Sequence, residues 1–290
     1  MADVVEVAAG VRRLTAPNPS PMTASGTQTY MLGAGEIAVI DPGPASDAHV
    51  AAILALGKVS HILVTHAHRD HSGAVHALAH ASGAPVFAFG AAQAGRSALM
   101  SELAARGGLA GGEGIDPDFK PDWRLHHGAV LEGCGWSLEA LHTPGHLSSH
   151  LSFALLGRDV IFTGDTVMGW STTLISPPDG SVAAFLASMD LLAARPERRY
   201  LPGHGDPVED GPARAREQAA HRRAREAQVL DALGDGATAA ALTAKIYADV
   251  PQHLHPAAAR NVLAHLIDLA ERGVLDLPEG RLEEAVFRKA

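Results

Sequence analysis

Nine consecutive residues, Thr65-His66-Ala67-His68-Arg69-Asp70-His71-Ser72-Gly73, constrain this chain more than any other feature. The apolar run Ile62–Val64 precedes them and a helical pattern follows. The sequence therefore predicts a loop at the C-terminal end of a β-strand, where α/β proteins place functional groups. Four metal-binding side chains, those of His66, His68, Asp70 and His71, fall within six residues. Without cations, so many imidazoles and carboxylates would form a crowded, repulsive cluster. With cations, they are the donors expected for zinc and other borderline divalent metals.

Three later segments repeat the arrangement of strand, tight turn and donor side chain. Leu141-His142-Thr143-Pro144-Gly145-His146 ends an apolar run in a Pro-Gly turn with a histidine at its tip. Val160-Ile161-Phe162-Thr163-Gly164-Asp165 ends another in Gly-Asp, and Tyr200-Leu201-Pro202-Gly203-His204-Gly205 ends a third in a glycine-flanked histidine. One such segment would say little. Four that converge on one sheet edge make a dinuclear metal site.

The rest of the chain fits an α/β fold. Strands are expected at Tyr30–Leu32, Ile37–Ile40, His61–Thr65, Pro85–Phe89, Leu138–Leu141, Leu151–Leu155, Val160–Phe162 and Arg199–Leu201. Helices are expected at Asp47–Leu56, Gly73–Ala81 and Ser181–Ala194, and a surface loop at Gly107–Pro121. The pattern then divides the chain into a catalytic domain over 1–212, a connecting helix over 213–235 and a small domain over 236–290. The last reads as helix Thr238–Tyr247, a longer helix with Val262, Leu263, Leu266 and Ile267 on one face, and a hairpin of Val274–Leu277 with Arg281–Phe287. That order is the winged-helix pattern.

Composition excludes several classes. Hydrophobic residues make up 47% and charged ones 19%, so the chain buries a real core. No apolar run reaches the roughly 18 residues that span a bilayer, so no membrane partner is expected. Cys134 is the only cysteine, which removes any internal disulfide or cysteine-based zinc cluster. With no evident secretory signal, a cytoplasmic location is the expectation. The net charge of −9 departs from the basic footprint of a general nucleic-acid binder.

The four segments, together with Asp41 of Ile40-Asp41-Pro42-Gly43, resemble the five-motif signature of the metallo-β-lactamase superfamily over about residues 10–210. The resemblance implies an αβ/βα sandwich, two mixed sheets face to face with helices outside. It also implies that His66, His68 and His146 bind one metal, that Asp70, His71 and His204 bind a second, and that Asp165 bridges them. Asp41 would brace the loop rather than bind. Zn2+, two per chain, is the default, with iron or manganese also fitting.

A narrower resemblance is carried by Asn18-Pro19-Ser20-Pro21-Met22-Thr23, Gly26-Thr27-Gln28-Thr29-Tyr30, the Trp170–Asp179 stretch and the C-terminal winged helix. These are similar to a β-lactamase-like subgroup that includes a mitochondrial endoribonuclease.

The expected chemistry is hydrolysis. A hydroxide held by the two metals would attack an ester, a thioester or a phosphodiester, with Asp70 and Asp165 offsetting the ionic charge. The substrate would be a small molecule or an acyl group, or else single-stranded RNA. A single-strand-directed endoribonuclease and an iron-dependent oxidoreductase on the same fold are the alternatives, with a non-catalytic nucleic-acid binder as a third. His142 and His150 are candidates for bracing or substrate contact. Arg214, His221, Arg222 and Arg225, which share a helix face, are candidates for receiving an anionic substrate. His126 and His127 are expected at the surface, His76 and His80 outside the ligand set, and His253, His255 and His265 in the tail. Cys134 is expected to be inert.

Overall fold

The computed structural model describes residues 4–107, 109 and 114–290. Two sheets organise the first part of the chain. The larger runs in spatial order through β1 (Val4–Ala8), β2 (Val11–Thr15), β3 (Gln28–Leu32), β4 (Glu36–Ile40), β5 (Lys58–Leu63), β6 (Val86–Ala88) and β7 (Trp123–Arg124). The smaller runs β12 (Arg199–Pro202), β11 (Val160–Gly164), β10 (Leu151–Leu155), β9 (Trp136–His142), β8 (Val130–Gly133).

Period-2 alternation decides how the sheets pack. Along β10, Leu151, Phe153 and Leu155 enter the core between the sheets, while Ala154 faces the outer layer. From the other sheet, Tyr30, Leu32, Ile40 and Leu63 meet them. The Tyr30 hydroxyl ties the layers by donating to the Pro202 carbonyl at 2.7 Å. Helices cover both outer faces. On one side Val50 and Ile53 of α1 (Asp47–Leu54) and Val75 and Leu78 of α3 (Val75–Ser82) pack on β4–β6, beside the four-residue α2 (Arg69–Ser72). On the other, Phe185, Met189 and Leu192 of α5 (Val182–Ala193) and Ala215 and Ala219 of α6 (Gly211–Leu233) pack on β9–β12. The result is the αβ/βα sandwich.

Strand direction explains where function gathers. β4 and β5 are parallel, as are β11 and β12, and β9 and β11 are each antiparallel to β10 between them. The C-terminal ends of β4, β5, β9, β11 and β12 therefore open on one edge of the sandwich. Each is followed directly by one of the five motifs.

α6 begins at an Asp210 cap, whose carboxylate accepts from the Ala213 amide at 3.1 Å, with Pro212 in its first turn. Beyond it, α7 (Ala239–Ile246), a 3₁₀ turn (Gln252–Leu254) and α8 (His255–Glu271) enclose Leu242, Val262, Leu266, Ile267 and Phe287. Met100 and Leu103 of α4 (Ala98–Arg106) join this cluster, so the C-terminal unit rests on the catalytic sandwich.

The wing corrects one sequence expectation. Residues 274–276 pair with 288–290 through Asp276 N–H to Arg288 O at 2.9 Å and Ala290 N–H to Val274 O at 3.2 Å, not with 281–287. Phe287 instead bridges Ala237, which adds a third short segment to the wing. Burial decides the register, because Phe287 is fully enclosed and must point inward. Strands β1, β2, β7 and β8 and helix α4 lie outside the expected elements, and the short α2 forms within the segment expected as a loop. The loop expected over Gly107–Pro121 lies in part, at 108 and 110–113, outside the described residues. Among the described residues, no helix is long and apolar enough to cross a membrane.

Candidate metal centre

The strand ends bring seven donor side chains together, in two sets joined through a third group of His66, His71 and Asp165. In the first, His68 Nδ1 lies 3.0 Å from His66 Nε2 and 3.0 Å from His146 Nε2. In the second, His204 Nε2 lies 3.2 Å from His71 Nε2 and 3.2 Å from Asp70 Oδ2. Asp165 stands between them, its Oδ2 at 3.9 Å from His66 Nε2, 3.7 Å from His146 Nε2 and 3.4 Å from His204 Nε2. Donors about 2.1 Å from a tetrahedral cation stand roughly 3.4 Å from one another, so these spacings suit one ion per set.

The far nitrogens of three rings explain why the donor atoms of those rings face inward. His146 Nδ1–H donates to the Leu174 carbonyl at 2.8 Å, and His71 Nδ1–H to Asp41 Oδ2 at 2.8 Å. The Thr65 hydroxyl donates to Asp41 Oδ2 at 2.7 Å and so accepts from His66 Nδ1–H at 2.9 Å. Outward donation leaves the Nε2 lone pairs of His66 and His146 turned toward His68 Nδ1, which carries at most one proton for the two of them. At least one pair of lone pairs is then opposed at 3.0 Å, an arrangement that a cation relieves. Asp165 Oδ1 is also buried without a hydrogen-bond partner, as a carboxylate reserved for a cation would be. The residues fit a metal pair.

Electrostatics differ between the sets. Burial, with neighbouring His71 and His68, holds His66 well below the ordinary imidazole range; burial and His146 bring His68 to about 3. Both stay neutral, which is the metal-binding form. Burial would lower His204 too, but the Asp165 and Asp70 carboxylates outweigh it and raise it to about 9. His71 is raised likewise against its burial by Asp165, Asp70 and Asp41. Burial opposes the charge of Asp70, yet His71 and His204 bring it down to about 2.

Two glycines allow the close approach. A side chain at Gly203 would stand 2.5 Å from Asp165 Oδ1 and 2.6 Å from His71 Cε1. Gly164, at φ +48°, turns the chain so that Asp165 points inward, and a Cβ there would strike His150 at 2.6 Å.

Other sequence candidates separate clearly. Asp41 anchors Thr65 and His71 from outside the donor sets. His150 is buried below the centre, where its Nε2 accepts from the Asp165 amide at 3.2 Å and its Nδ1 meets Thr143 and Thr166. His142 turns away, stacking on Phe89 at 4.0 Å and meeting the Ser148 carbonyl. His76, His80, His126, His127 and Cys134 are exposed, and His265 is buried in α8.

The basic face of α6 is in large part engaged within the chain. Arg214 and Gln218 donate to the carbonyls of Met168 and Ser171, and Arg222 to that of Thr173 and to Asn261 Oδ1. Arg222 is 3% exposed, and both its terminal nitrogens are engaged. It serves the Thr173 carbonyl of the irregular 168–174 segment, which has no ladder to pair with, so its terminal nitrogens are already committed within the chain. Of the arginines in that set, only Arg225 keeps its terminal nitrogens unengaged, as it lies over the Tyr247 ring at 4.1 Å.

Residues that sequence reasoning gave no role complete the frame. Thr173 donates to the Asp165 and Thr166 carbonyls, Trp170 Nε1–H donates to the His204 carbonyl at 3.2 Å, and Asn261 Oδ1 accepts from the Ile175 amide at 3.0 Å. Thr65 was visible inside its motif; Asn261 had no local signal.

A cavity of about 410 Å³ leads from His146 and Asp165 past Met168, Trp170 and Leu174 to Arg225, Tyr247 and Leu254. Its floor is the metal centre and its walls come from α6 and the C-terminal unit.

Comparison with known proteins agrees with this geometry. The family described as "Metallo-beta-lactamase superfamily" matches residues 22–204, and "Beta-lactamase associated winged helix domain" matches 238–276. A "Beta-lactamase-like protein 2 homolog" of Drosophila melanogaster is 29% identical over 97% of this chain and 94% of its own. An "Atrochrysone carboxyl ACP thioesterase" of Aspergillus chevalieri is 31% identical, covering 80% of this chain and 68% of that protein. The crystal structure of a metallo-beta-lactamase family protein from Thermus thermophilus superposes with a TM-score of 0.79 at 27% identity, over 98% of this chain and 100% of its own.

Proposed function

Because the chain belongs to the metallo-beta-lactamase superfamily and is a metallo-hydrolase of it, we propose that it cleaves an acyl ester or thioester at a centre of two divalent cations. The observation that carries this reading is the place of Asp165, whose Oδ2 lies within 3.9 Å of donor atoms in both sets. His66, His68 and His146 would hold one ion, Asp70, His71 and His204 the other, and Asp165 both. Zinc suits this donor set best, with iron or manganese as substitutes.

Bound there, such a pair of ions lowers the pKa of a shared water toward 7 and stabilises negative charge on a carbonyl oxygen. The chain supplies the rest. Asp70 and Asp165 stay anionic at neutral pH and offset part of the cationic charge. Asp41, through Thr65 and His71, and His150, through the Asp165 amide, fix the donors before substrate arrives. Residues 1–212 carry this machinery, 213–235 connect, and 236–290 close the cavity over it. Met168, Trp170, Leu174 and Leu254 give that cavity an apolar lining suited to an acyl chain. The acyl carrier thioesterase among the relatives supports the same substrate class.

The test is metal analysis of the purified protein combined with a substrate panel of a thioester, a carboxylic ester, a lactone, a β-lactam, a phosphodiester and single-stranded RNA. Two ions per chain and preferred thioester or ester cleavage are expected. Faster cleavage of RNA or of the phosphodiester would overturn the acyl assignment.

A further inference from the structure

The cavity has a second chemistry on its α6 wall. Arg225 is half-buried there, stacked on Tyr247, and its Nε is buried with no hydrogen-bond partner. Two other arginines of α6 are paired with carboxylates, Arg214 with Glu217 at 2.8 Å and Arg223 with Asp190 at 3.6 Å, while Arg216 donates to the Ala193 carbonyl away from the cavity lining. Among the described residues, Arg225 has no carboxylate partner. Neither has Arg222 beside it, whose acceptors are a carbonyl and an amide oxygen. Asp165, at the metal centre, is the only carboxylate among the residues lining the cavity.

In a chain of net charge −9, this wall concentrates positive charge where the dielectric is lower than in water. A guanidinium centred over an aromatic ring satisfies none of its N–H groups by that contact, which leaves them to donate to a planar or tetrahedral oxyanion. Leaving that charge without a counter-ion is costly, and an incoming anion relieves the cost.

We propose that Arg225 is a specificity residue, which receives an anionic group carried by the substrate while the apolar lining holds the acyl body. This rests on the acyl-hydrolase reading above. The anion is a carboxylate on the acyl chain or a phosphate on the thiol side, and both present anionic oxygens that accept from the guanidinium N–H groups.

The experiment uses the full-length, metal-loaded protein and its R225M and R225K variants, with melting temperatures measured first. Three thioesters separate the sources: butanoyl-N-acetylcysteamine, glutaryl-N-acetylcysteamine and butanoyl-phosphopantetheine. For R225M, the kcat/KM ratio of a charged substrate to the neutral one should fall at least tenfold, through KM, and R225K should restore part of it. A fall for glutaryl alone assigns the carboxylate, and one for phosphopantetheine alone assigns the phosphate. Should wild type cleave none of the three, the acyl reading fails by itself. Calorimetric titration with octyl phosphate, against octyl glucoside, then still reads Arg225, with a Kd at least tenfold weaker for octyl phosphate in R225M. An unchanged ratio and an unchanged octyl phosphate Kd overturn the proposal.

Discussion

Asn261 on α8 holds the Ile175 amide at 3.0 Å, one residue beyond the Leu174 carbonyl that takes the His146 Nδ1–H at 2.8 Å. The same Asn261 oxygen accepts from Arg222 at 2.9 Å. A residue of the C-terminal unit thus sets the height of the segment that aims a proposed metal ligand, 86 positions away in sequence from its Ile175 partner.

Asn261→Ala should therefore act at a distance. Removing the shared acceptor strands a backbone amide and a buried guanidinium, at a cost of about 1–3 kcal/mol in stability. Activity should drop about 10–100-fold as His146 loosens, with reduced metal retention after dialysis. Asn261→Asp, which keeps an acceptor, should recover most of it. Full activity and metal content in the alanine variant would contradict the link.

Asp165→Asn removes the charge that serves both donor sets while keeping size and shape. Mass spectrometry of the purified variant should find fewer than two ions per chain, and hydrolysis should fall by orders of magnitude. Circular dichroism should stay unchanged, because the residue lies on a loop after β11 and packs little apolar surface. Wild-type turnover at full metal occupancy would refute the bridging role.

Metal removal should reveal the different protonation of the two sets. With metal stripped, His204 is raised to about 9 by Asp165 and Asp70 against its burial, while His68 stays neutral down to about 3. Binding at the Asp70–His71–His204 set must expel the protons that His204 and His71 hold at neutral pH, so its affinity should climb as pH rises from 6 through about 9. Calorimetry at pH 7 in two buffers of different ionisation enthalpy should detect proton release from His204 and His71 for one ion and none from His66 or His68 for the other. The sign for stability is opposite. A His204 pKa raised above the unfolded value stabilises the metal-free fold below about pH 6.5, and the benefit is lost as pH rises through about 9. Melting temperatures of the stripped protein should fall across that window.

Asp41→Asn should test the frame behind the ligands. Asp41 sits at φ +52°, a conformation that asparagine tolerates, so the backbone turn should survive. The lost charge weakens the bonds to Thr65 and His71, and activity should decrease about 10–100-fold with KM little changed. A stability loss with unaltered kcat would make Asp41 purely structural.

Much of this molecule was legible in the chain. The donor side chains follow β5, β9, β11 and β12 at once, and both the strand periodicity and the Pro-Gly, Gly-Asp and Gly-His turns that end them are written within a few residues. Helices separate β4 from β5 and β11 from β12, which suits parallel neighbours, whereas β9 and β11 share a direction because the antiparallel β10 lies between them. Strand β2 is hard to read from the chain because Arg12 and Arg13 interrupt its apolar pattern, although both side chains find partners, Arg12 at the Leu56 and Gly33 carbonyls and Arg13 at Asp206.

Local chemistry along the chain dictates which atoms can hold metal, in what order they come, and at which end of the strands they stand, since turn formation and side-chain alternation involve only near neighbours. What each ring nitrogen leans on, and which arginine is free, emerged only from the packed molecule. Arg222 and Arg225 are three residues apart on one helix and indistinguishable by type. One is enclosed against Thr173 and Asn261 and the other opens onto the cavity, because their neighbours come from α8 and α7, which sequence spacing cannot bring into register. Hydrogen bonds between distant elements exist only once those elements have packed, and packing depends on the whole core.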